Sequence, residues 1–234
     1  VNRRRRVSVR ERTTGQGGTG MHNRIVRFIL ASLFIMAAAN SRAGAASMGE
    51  PTWKKLDTAT MKKLLEKGDL VGVNRAGAIE MSTIGFLVAA PPDKVFDIIV
   101  DYEKYGQLMP EVTNVKVTPK GKNVIHVRFE VTVVDFGPLK IATDYTLKIT
   151  KEKPKRVIIE WVSGKVKDVS GYWELTPVDG GKKTIAVYGI TSNLKSASPI
   201  AKTALDNQPA TETAINLSSA VVLARAVRKK AEKK

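Results

Sequence analysis

The amino-acid sequence predicts an α+β fold, a curved antiparallel sheet of about seven strands wrapped around a long C-terminal helix. Three observations carry this. Across residues 125–133 every odd position is apolar (Ile125, Val127, Phe129, Val131, Val133), and the even positions are His126, Arg128, Glu130 and Thr132. That alternation marks a strand with one buried and one wet face. Similar stretches at 139–149, 156–162, 169–176 and 184–191 are separated by Gly137-Pro138, Lys153-Pro154, Ser163-Gly164 and Asp179-Gly180-Gly181. Short strands joined by turn residues argue an antiparallel meander. After Pro209 the period changes to that of a helix over 210–230, with Leu217, Val221 and Ala224, flanked by Ile215 and Val222, as its apolar stripe.

The other elements follow in order. Residues 56–67 predict a short helix, capped by Asp57 or Thr58, with Met61, Leu64 and Leu65 on one face and Gly68 as its stop. Residues 70–73 predict a short strand. Residues 79–88 predict a longer one, whose apolar phase slips near Thr83-Ile84 as a bulge would make it. Pro91-Pro92-Asp93 opens a helix that buries Val95, Phe96, Ile98 and Ile99, and a second short helix runs over 102–108 and ends at Pro110. Ser198-Pro199 starts the C-terminal helical segment.

The first 45 residues read differently. Residues 21–45 carry Met21, Arg24 and Arg27, an apolar run over 28–39, and a small-x-small site, Ala43-Gly44-Ala45. That order is expected of a secretory signal cleaved near Ala45, giving a periplasmic or extracellular protein. The run would form a helix of about 18 Å, short of the ~30 Å hydrocarbon core. Residues 1–20 are expected to be a non-native or disordered extension. Their Gly15, Gly17 and Gly20 fit a dinucleotide fingerprint but lack a preceding strand. Residues 46–78 would then be an N-terminal helix and strand extension, and 79–232 the domain.

Composition excludes several functions. With 43% apolar residues the chain can build a core, and with no cysteine it has no disulfide, zinc-thiolate or thiol nucleophile. The formal charge is +17, but residues 1–45 hold nine arginines and one acid, Glu11. The remainder, 30 basic against 21 acidic side chains, carries +9. No nucleic-acid partner is expected from that balance. A basic helix end (Arg225, Arg228, Lys229, Lys230) suits the helix dipole, or contact with an anionic membrane surface.

The order of elements resembles the helix-grip fold of the START/SRPBCC superfamily, in its polyketide cyclase and coenzyme Q-binding (START-like) branch. The resemblance rests on Val88-Ala89-Ala90-Pro91-Pro92-Asp93-Lys94-Val95-Phe96, on Asp101-Tyr102-Glu103-Lys104-Tyr105-Gly106-Gln107-Leu108-Met109-Pro110, and on Gly171-Tyr172-Trp173-Glu174-Leu175-Thr176-Pro177. Gly106 and Leu108 depart from the family's usual proline and aromatic. The resemblance implies a cavity between sheet and C-terminal helix. Phe96, Tyr102, Tyr105, Leu108 and Met109 would stand at its mouth. Phe129, Val131, Tyr145, Trp161 and Trp173 would line the sheet side, with Leu217 and Val221 on the helix side.

Catalytic chemistry is thin. His126 is the one histidine after residue 45, and alternation turns it outward, so a serine–histidine relay has no base. No carboxylate spacing suggests a metal site, no cofactor is implied, and Glu80, Glu130, Glu160 and Glu174 fall at outward strand positions. Asp135-Phe136-Gly137 reads as a hairpin turn. The expected function is an exported, monomeric module that binds a hydrophobic molecule such as a lipid or isoprenoid quinone. The alternatives are a cyclase or aromatase in the same cavity, using Tyr102, Tyr145 or Arg128, and a ribosome-associated toxin-like protein, which an export signal argues against.

Overall fold

The computed structural model describes residues 51–76, 79–136 and 139–233. The expected signal at 21–45, the extension at 1–20 and the Gly137-Pro138 turn lie outside the described residues. Helix α1 (Thr58–Leu65) starts where the Asp57 carboxylate accepts the amides of Ala59 and Thr60, each at 3.0 Å. These bonds satisfy donors a helix start leaves free and hold the Asp57 carboxyl below its ordinary range, the Thr60 bond foremost. Met61 and Leu65 are buried, whereas Leu64, expected beside them, is exposed.

Eight strands form one antiparallel sheet: β1 (Leu70–Ala76), β2 (Ile79–Val88), β3 (Val112–Pro119), β4 (Val124–Phe136), β5 (Leu139–Glu152), β6 (Arg156–Gly164), β7 (Lys167–Val178) and β8 (Lys183–Asn193). Their order is β1-β2-β8-β7-β6-β5-β4-β3. The additional strand comes from β1, which runs on to Ala76 and pairs with β2 along its whole length. The bulge expected near Thr83-Ile84 is absent, because β2 keeps an unbroken register with both β1 and β8. Its apolar phase slips because the strand is covered on both faces. Ser82, Thr83, Ile84, Gly85 and Phe86 are all buried, and the Trp53 ring lies so close over Gly85 that an added Cβ would meet it at 2.9 Å.

That outer cover is the N-terminal segment. Met61 and Leu65 of α1 pack with Val178, Ile185 and Val187 on the convex face of the sheet, with Trp53, Leu56 and Tyr172 alongside. The concave face carries the main core: Ile84, Phe86, Val127, Phe129, Ile149, Val157 and Trp173. Register shifts between β3 and β4, β4 and β5, β5 and β6, and β7 and β8 increase the bend of the sheet. Two glycines permit close strand approach. At Gly171 a Cβ would stand 2.3 Å from the Gly189 carbonyl oxygen. Gly164 adopts φ 128°, and a Cβ there would lie 2.3 Å from Tyr145 Cα; only glycine takes such a backbone without strain.

Four further helices close the concave side. Helix α2 (Pro92–Ile99) buries Val95, Phe96 and Ile99, and α3 (Tyr105–Leu108) follows a 3₁₀ turn at Tyr102–Lys104. Helix α4 (Pro199–Asn207) is capped by Ser198, whose hydroxyl accepts the Ala201 amide at 3.1 Å. Helix α5 (Pro209–Glu232) lies over β2 and β8. Its buried stripe is Asn216, Ala220, Leu223, Ala224, Val227 and Ala231. This corrects the expected stripe: Leu217 and Val221 are only partly buried and Val222 is 45% exposed. The small residues on the true stripe let the helix axis approach the sheet.

Polar contacts fix α5 at both ends. Near its start, Leu194 N donates to Glu212 at 2.7 Å, and Ser192 and Asn216 bond each other twice: the Ser192 hydroxyl donates to Asn216 Oδ1 at 2.6 Å, and Asn216 Nδ2 donates to the Ser192 carbonyl at 3.2 Å. Thr213 donates to Glu80, so Glu80 faces the helix rather than solvent. Bonds from Thr213 and then Arg75 hold its carboxyl below the ordinary range. At the far end Arg228 forks onto Asp69 at 2.6 and 3.2 Å, and Ala89 N donates to Glu232 at 2.8 Å. A rod fastened at its ends can span a gap in the middle.

Candidate functional site

The gap lies under the first half of α5. It is an interior cavity of about 250 Å³. Cavities of roughly 150 Å³ lined by apolar side chains already admit benzene, so this one has room for a bicyclic compound. Its sheet wall is Phe129, Val131, Tyr145, Leu147, Ile149, Ile159, Trp173, Tyr188 and Ile190. Tyr102, Tyr105, Met109 and Val112 close one side, Val166, Val169 and Leu194 another, and Ile215, Asn216, Ser219 and Leu223 form the helix wall. The partly exposed lining residues are Met109, Glu111, Thr132, Tyr145, Ile190, Ser192, Ile215 and Ser219.

The walls are largely aromatic. Trp173, 1% exposed, stacks on Tyr188 with ring centroids 4.2 Å apart at 18°, and meets the edge of Phe86 at 6.2 Å. Tyr102 lies 4.8 Å from Tyr105 and 6.1 Å from Phe129, whose ring is 5.6 Å from Tyr145. The hydroxyls differ in their bonding. Tyr105 donates to the Ile99 carbonyl at 2.8 Å. Tyr102 Oη is buried with no partner among the described residues, as is Thr143 Oγ1 one pair beyond Tyr145 on the same face. A buried hydroxyl left in that state costs about 1–3 kcal/mol. Burial pushes Tyr145 up to about 12, with the Glu111 charge adding to it. Burial likewise raises Tyr102, Tyr105 and Tyr188 above the ordinary value of 10.0. All of them keep their protons at neutral pH.

The positions expected at a cavity divide clearly. Tyr102, Tyr105, Met109, Phe129, Val131, Tyr145 and Trp173 line it. Phe96 and Leu108 are buried in the core but do not reach the cavity. Trp161 has the inward parity of Val157 and Ile159, yet it stands 36% exposed with Nε1 donating to the Val166 carbonyl at 2.9 Å. It braces the β6–β7 turn instead of lining the wall. Leu217 and Val221 are displaced from the wall by the phase of α5, which presents Ile215, Asn216, Ser219 and Leu223. Tyr188, Ile190 and Ser192 are lining residues that the sequence pattern does not mark. They sit on β8, where residues 184–189 are buried on both faces and alternation carries no signal. Arg128 points away from the cavity and pairs with Asp144 at 3.3 Å. Glu130 and Glu160 likewise engage surface cations, and Glu174 pairs with the largely buried Lys54 at 2.9 Å.

Among the described residues, Glu111 is the one carboxylate on the cavity and no lysine or arginine lines it. No group of three or more histidines, aspartates or glutamates able to hold a metal occurs among them either. No described helix is long and apolar enough to cross a membrane. The chamber can desolvate and enclose an uncharged apolar molecule; among the described residues it has no counter-ion for an anionic one.

A bent antiparallel sheet gripping a C-terminal helix over an apolar chamber defines a START-like, helix-grip protein. The model of the polyketide cyclase / dehydrase and lipid transport family matches residues 88–221, more than half of the chain, and the chain belongs to that family. No curated protein matches it. Among solved structures it is similar to a protein, TTHA0849, from Thermus thermophilus, with 17% identity over 64% of this chain and 96% of that one and a TM-score of 0.53. It is similar to a STAR-related lipid transfer protein from Xanthomonas axonopodis, with 16% identity over 71% and 95% and a TM-score of 0.52. A START superfamily protein from Mycobacterium smegmatis matches with 16% identity over 65% and 97% and a TM-score of 0.50. At these identities the likeness is one of fold.

Proposed function

We propose that the protein binds and carries an uncharged hydrophobic small molecule, of the lipid or isoprenoid quinone kind, in the cavity beneath α5. The observation that carries this reading is the chamber of about 250 Å³ with aromatic and aliphatic walls and a helix held at both ends above it. Burying the guest there would contribute about 25 cal/mol per Å² of apolar surface, before ordering costs. The segment at 21–45 supports action outside the cytoplasm. The protein acts as a monomer, and Lys229 on the outer flank of α5 offers contact with an anionic membrane surface, whereas Arg228 and, at 3.9 Å, Arg225 are engaged by Asp69.

A cyclase reading has less support. Its candidate donors Tyr102 and Tyr145 do line the chamber, but burial holds both protonated, and Arg128 lies outside. That leaves no general base deep in the cavity among the described residues.

Native mass spectrometry of the purified protein tests the proposal. Wild type is expected to carry an extractable apolar compound, and Leu223→Trp, which fills the chamber from the helix wall, to lose it while staying folded. A compound retained equally by both would place it elsewhere and defeat the reading.

A further inference from the structure

Resting on that reading of the cavity, we propose that the β6–β7 turn, with α4 beside it, is the edge by which the protein docks on an anionic phospholipid bilayer. Trp161 and Val162 at the end of β6 are 36 and 39% exposed, and Ile200 on α4 is 60% exposed. The fold leaves them uncovered. Pairing of β6 with β7 stops at Ile159, and the register shift against β5 makes Val162 an extra residue beside Trp161. The turn is nonetheless held firmly. Trp161 Nε1 donates to the Val166 carbonyl at 2.9 Å, and Lys165 N to the Asp144 carbonyl at 2.9 Å. Lys167 N donates to the Ser196 hydroxyl at 2.7 Å, in the 3₁₀ turn Leu194–Ala197 that leads into α4. A side chain exposed on a braced turn loses little freedom when it inserts.

Charge and position select the partner. Lys165 and Lys167 are exposed, and neither side chain has a hydrogen bond or ion pair among the described residues. Lys195 and Lys202 share Asp206. Across residues 161–168 and 194–206 these four lysines stand against two aspartates, Asp168 and Asp206. An exposed tryptophan suits the headgroup level of a membrane, and lysines around it suit anionic lipid. The inner side of the same edge is cavity wall, through Val166 and Leu194. The partly exposed lining residues Thr132, Tyr145, Ser192 and Ile215 stand at this end of the sheet, where Tyr145 pairs with Gly164. Docking here brings that end of the cavity to the bilayer, so an apolar guest transfers without crossing bulk water. Lys229 lies about 30 Å along α5 from the helix start, and its contact is secondary to this edge.

The test follows tryptophan fluorescence of the full chain with vesicles equimolar in phosphatidylglycerol and phosphatidylcholine, both with brominated acyl chains. Of the three tryptophans, Trp173 is buried and Trp53 lies against the convex face, so quenching reports on Trp161. Wild type is expected to be quenched and shifted to the blue, far less so with pure phosphatidylcholine. Trp161→Phe should lose the quenching. Lys165→Gln/Lys167→Gln, which breaks no bond of the fold, should raise the lipid concentration for half-maximal quenching about thirtyfold. Lys229→Gln should change it by less than about twofold. Absence of quenching in wild type, quenching that survives in Trp161→Phe, or sensitivity to Lys229→Gln with none to the lysine pair overturns the docking edge. Native mass spectrometry separates this from the cavity reading: a guest still carried by wild type leaves the cavity standing when docking fails. Circular dichroism checks that each variant is folded.

Discussion

Raised above about pH 10, the protein is expected to unfold in one steep alkaline transition. The cause is the set of tyrosines around the cavity. Tyr102, Tyr105 and Tyr188 are 3, 5 and 7% exposed, and burial, the first cause in each case, raises their hydroxyls above the ordinary 10.0. The sign follows from linkage. A folded value above the unfolded one means that the unfolded chain releases its proton first as pH rises. The stabilisation is therefore complete below pH 10.0 and is lost progressively above it. Each tyrosine loses about 1.4 kcal/mol per pH unit, so three together lose about 4 kcal/mol per unit against a typical total of about 5–15 kcal/mol. Urea midpoints measured across this range should be flat up to about pH 9–10 and then fall sharply. Tyrosinate absorbance from these residues should grow in step with unfolding. Tyrosinate forming in a protein that remains folded would contradict their burial. Tyr102→Phe should flatten the slope by one proton's worth.

Replacing Trp173 by alanine is expected to destabilise the fold by about 3–5 kcal/mol. Trp173 is the largest of the fully buried side chains, forms the cavity floor, stacks on Tyr188 at 4.2 Å and edges Phe86 at 6.2 Å. Its loss removes both ring contacts and enlarges a void that is already present, and the Gly171 backbone two residues earlier, pressed against Gly189, has no room to settle inward. Trp161→Ala is the matched contrast. That ring is 36% exposed and makes one hydrogen bond to the Val166 carbonyl, so about 1 kcal/mol is expected. Equilibrium urea unfolding of the two variants measures both. Equal effects would mean that Trp173 does not bear the core that the fold assigns to it.

Much of the sheet is legible in the sequence, and less of its covers. The alternation over 125–133 places Phe129 and Val131 on the inner face because β4 is wet on its other side, with Arg128 and Glu130 among surface charges. The same rule is silent on β8 and misleads on β2, because Trp53 and α1 cover the convex face there. Helix α5 misleads for a related reason. Large apolar residues draw attention to Leu217, Val221 and Val222, but a helix laid close on a sheet buries Ala220, Ala224 and Ala231 and turns bulkier neighbours aside. Asn216 is a polar type at a core position, and its two bonds to Ser192 are what permit it there. Parity gives Trp161 the inward phase of Val157 and Ile159 but does not show that the pairing of β6 with β7 stops at Ile159 and leaves the ring uncovered. The phase of a packed helix and the second cover of a strand depend on residues distant in sequence, which local periodicity does not contain.

Tyr102 illustrates what only coordinates reveal. Its type and its place before α3 suggest a pocket residue, and Tyr105 has the same credentials. Tyr105 spends its hydroxyl on the backbone of α2, while Tyr102 has no partner among the described residues. Side-chain bonding of this kind depends on groups distant in sequence, which residue type alone does not contain.

The central claim is that the chamber between sheet and α5 takes up an apolar guest. Chemical-shift mapping of backbone amides during a tetralin titration tests it most directly. The account predicts saturable shifts centred on Phe129, Tyr145, Trp173, Tyr188 and Leu223. Shifts confined to exposed apolar positions such as Trp161, Ile200 and Val222, with the amides around the chamber unmoved, would contradict it.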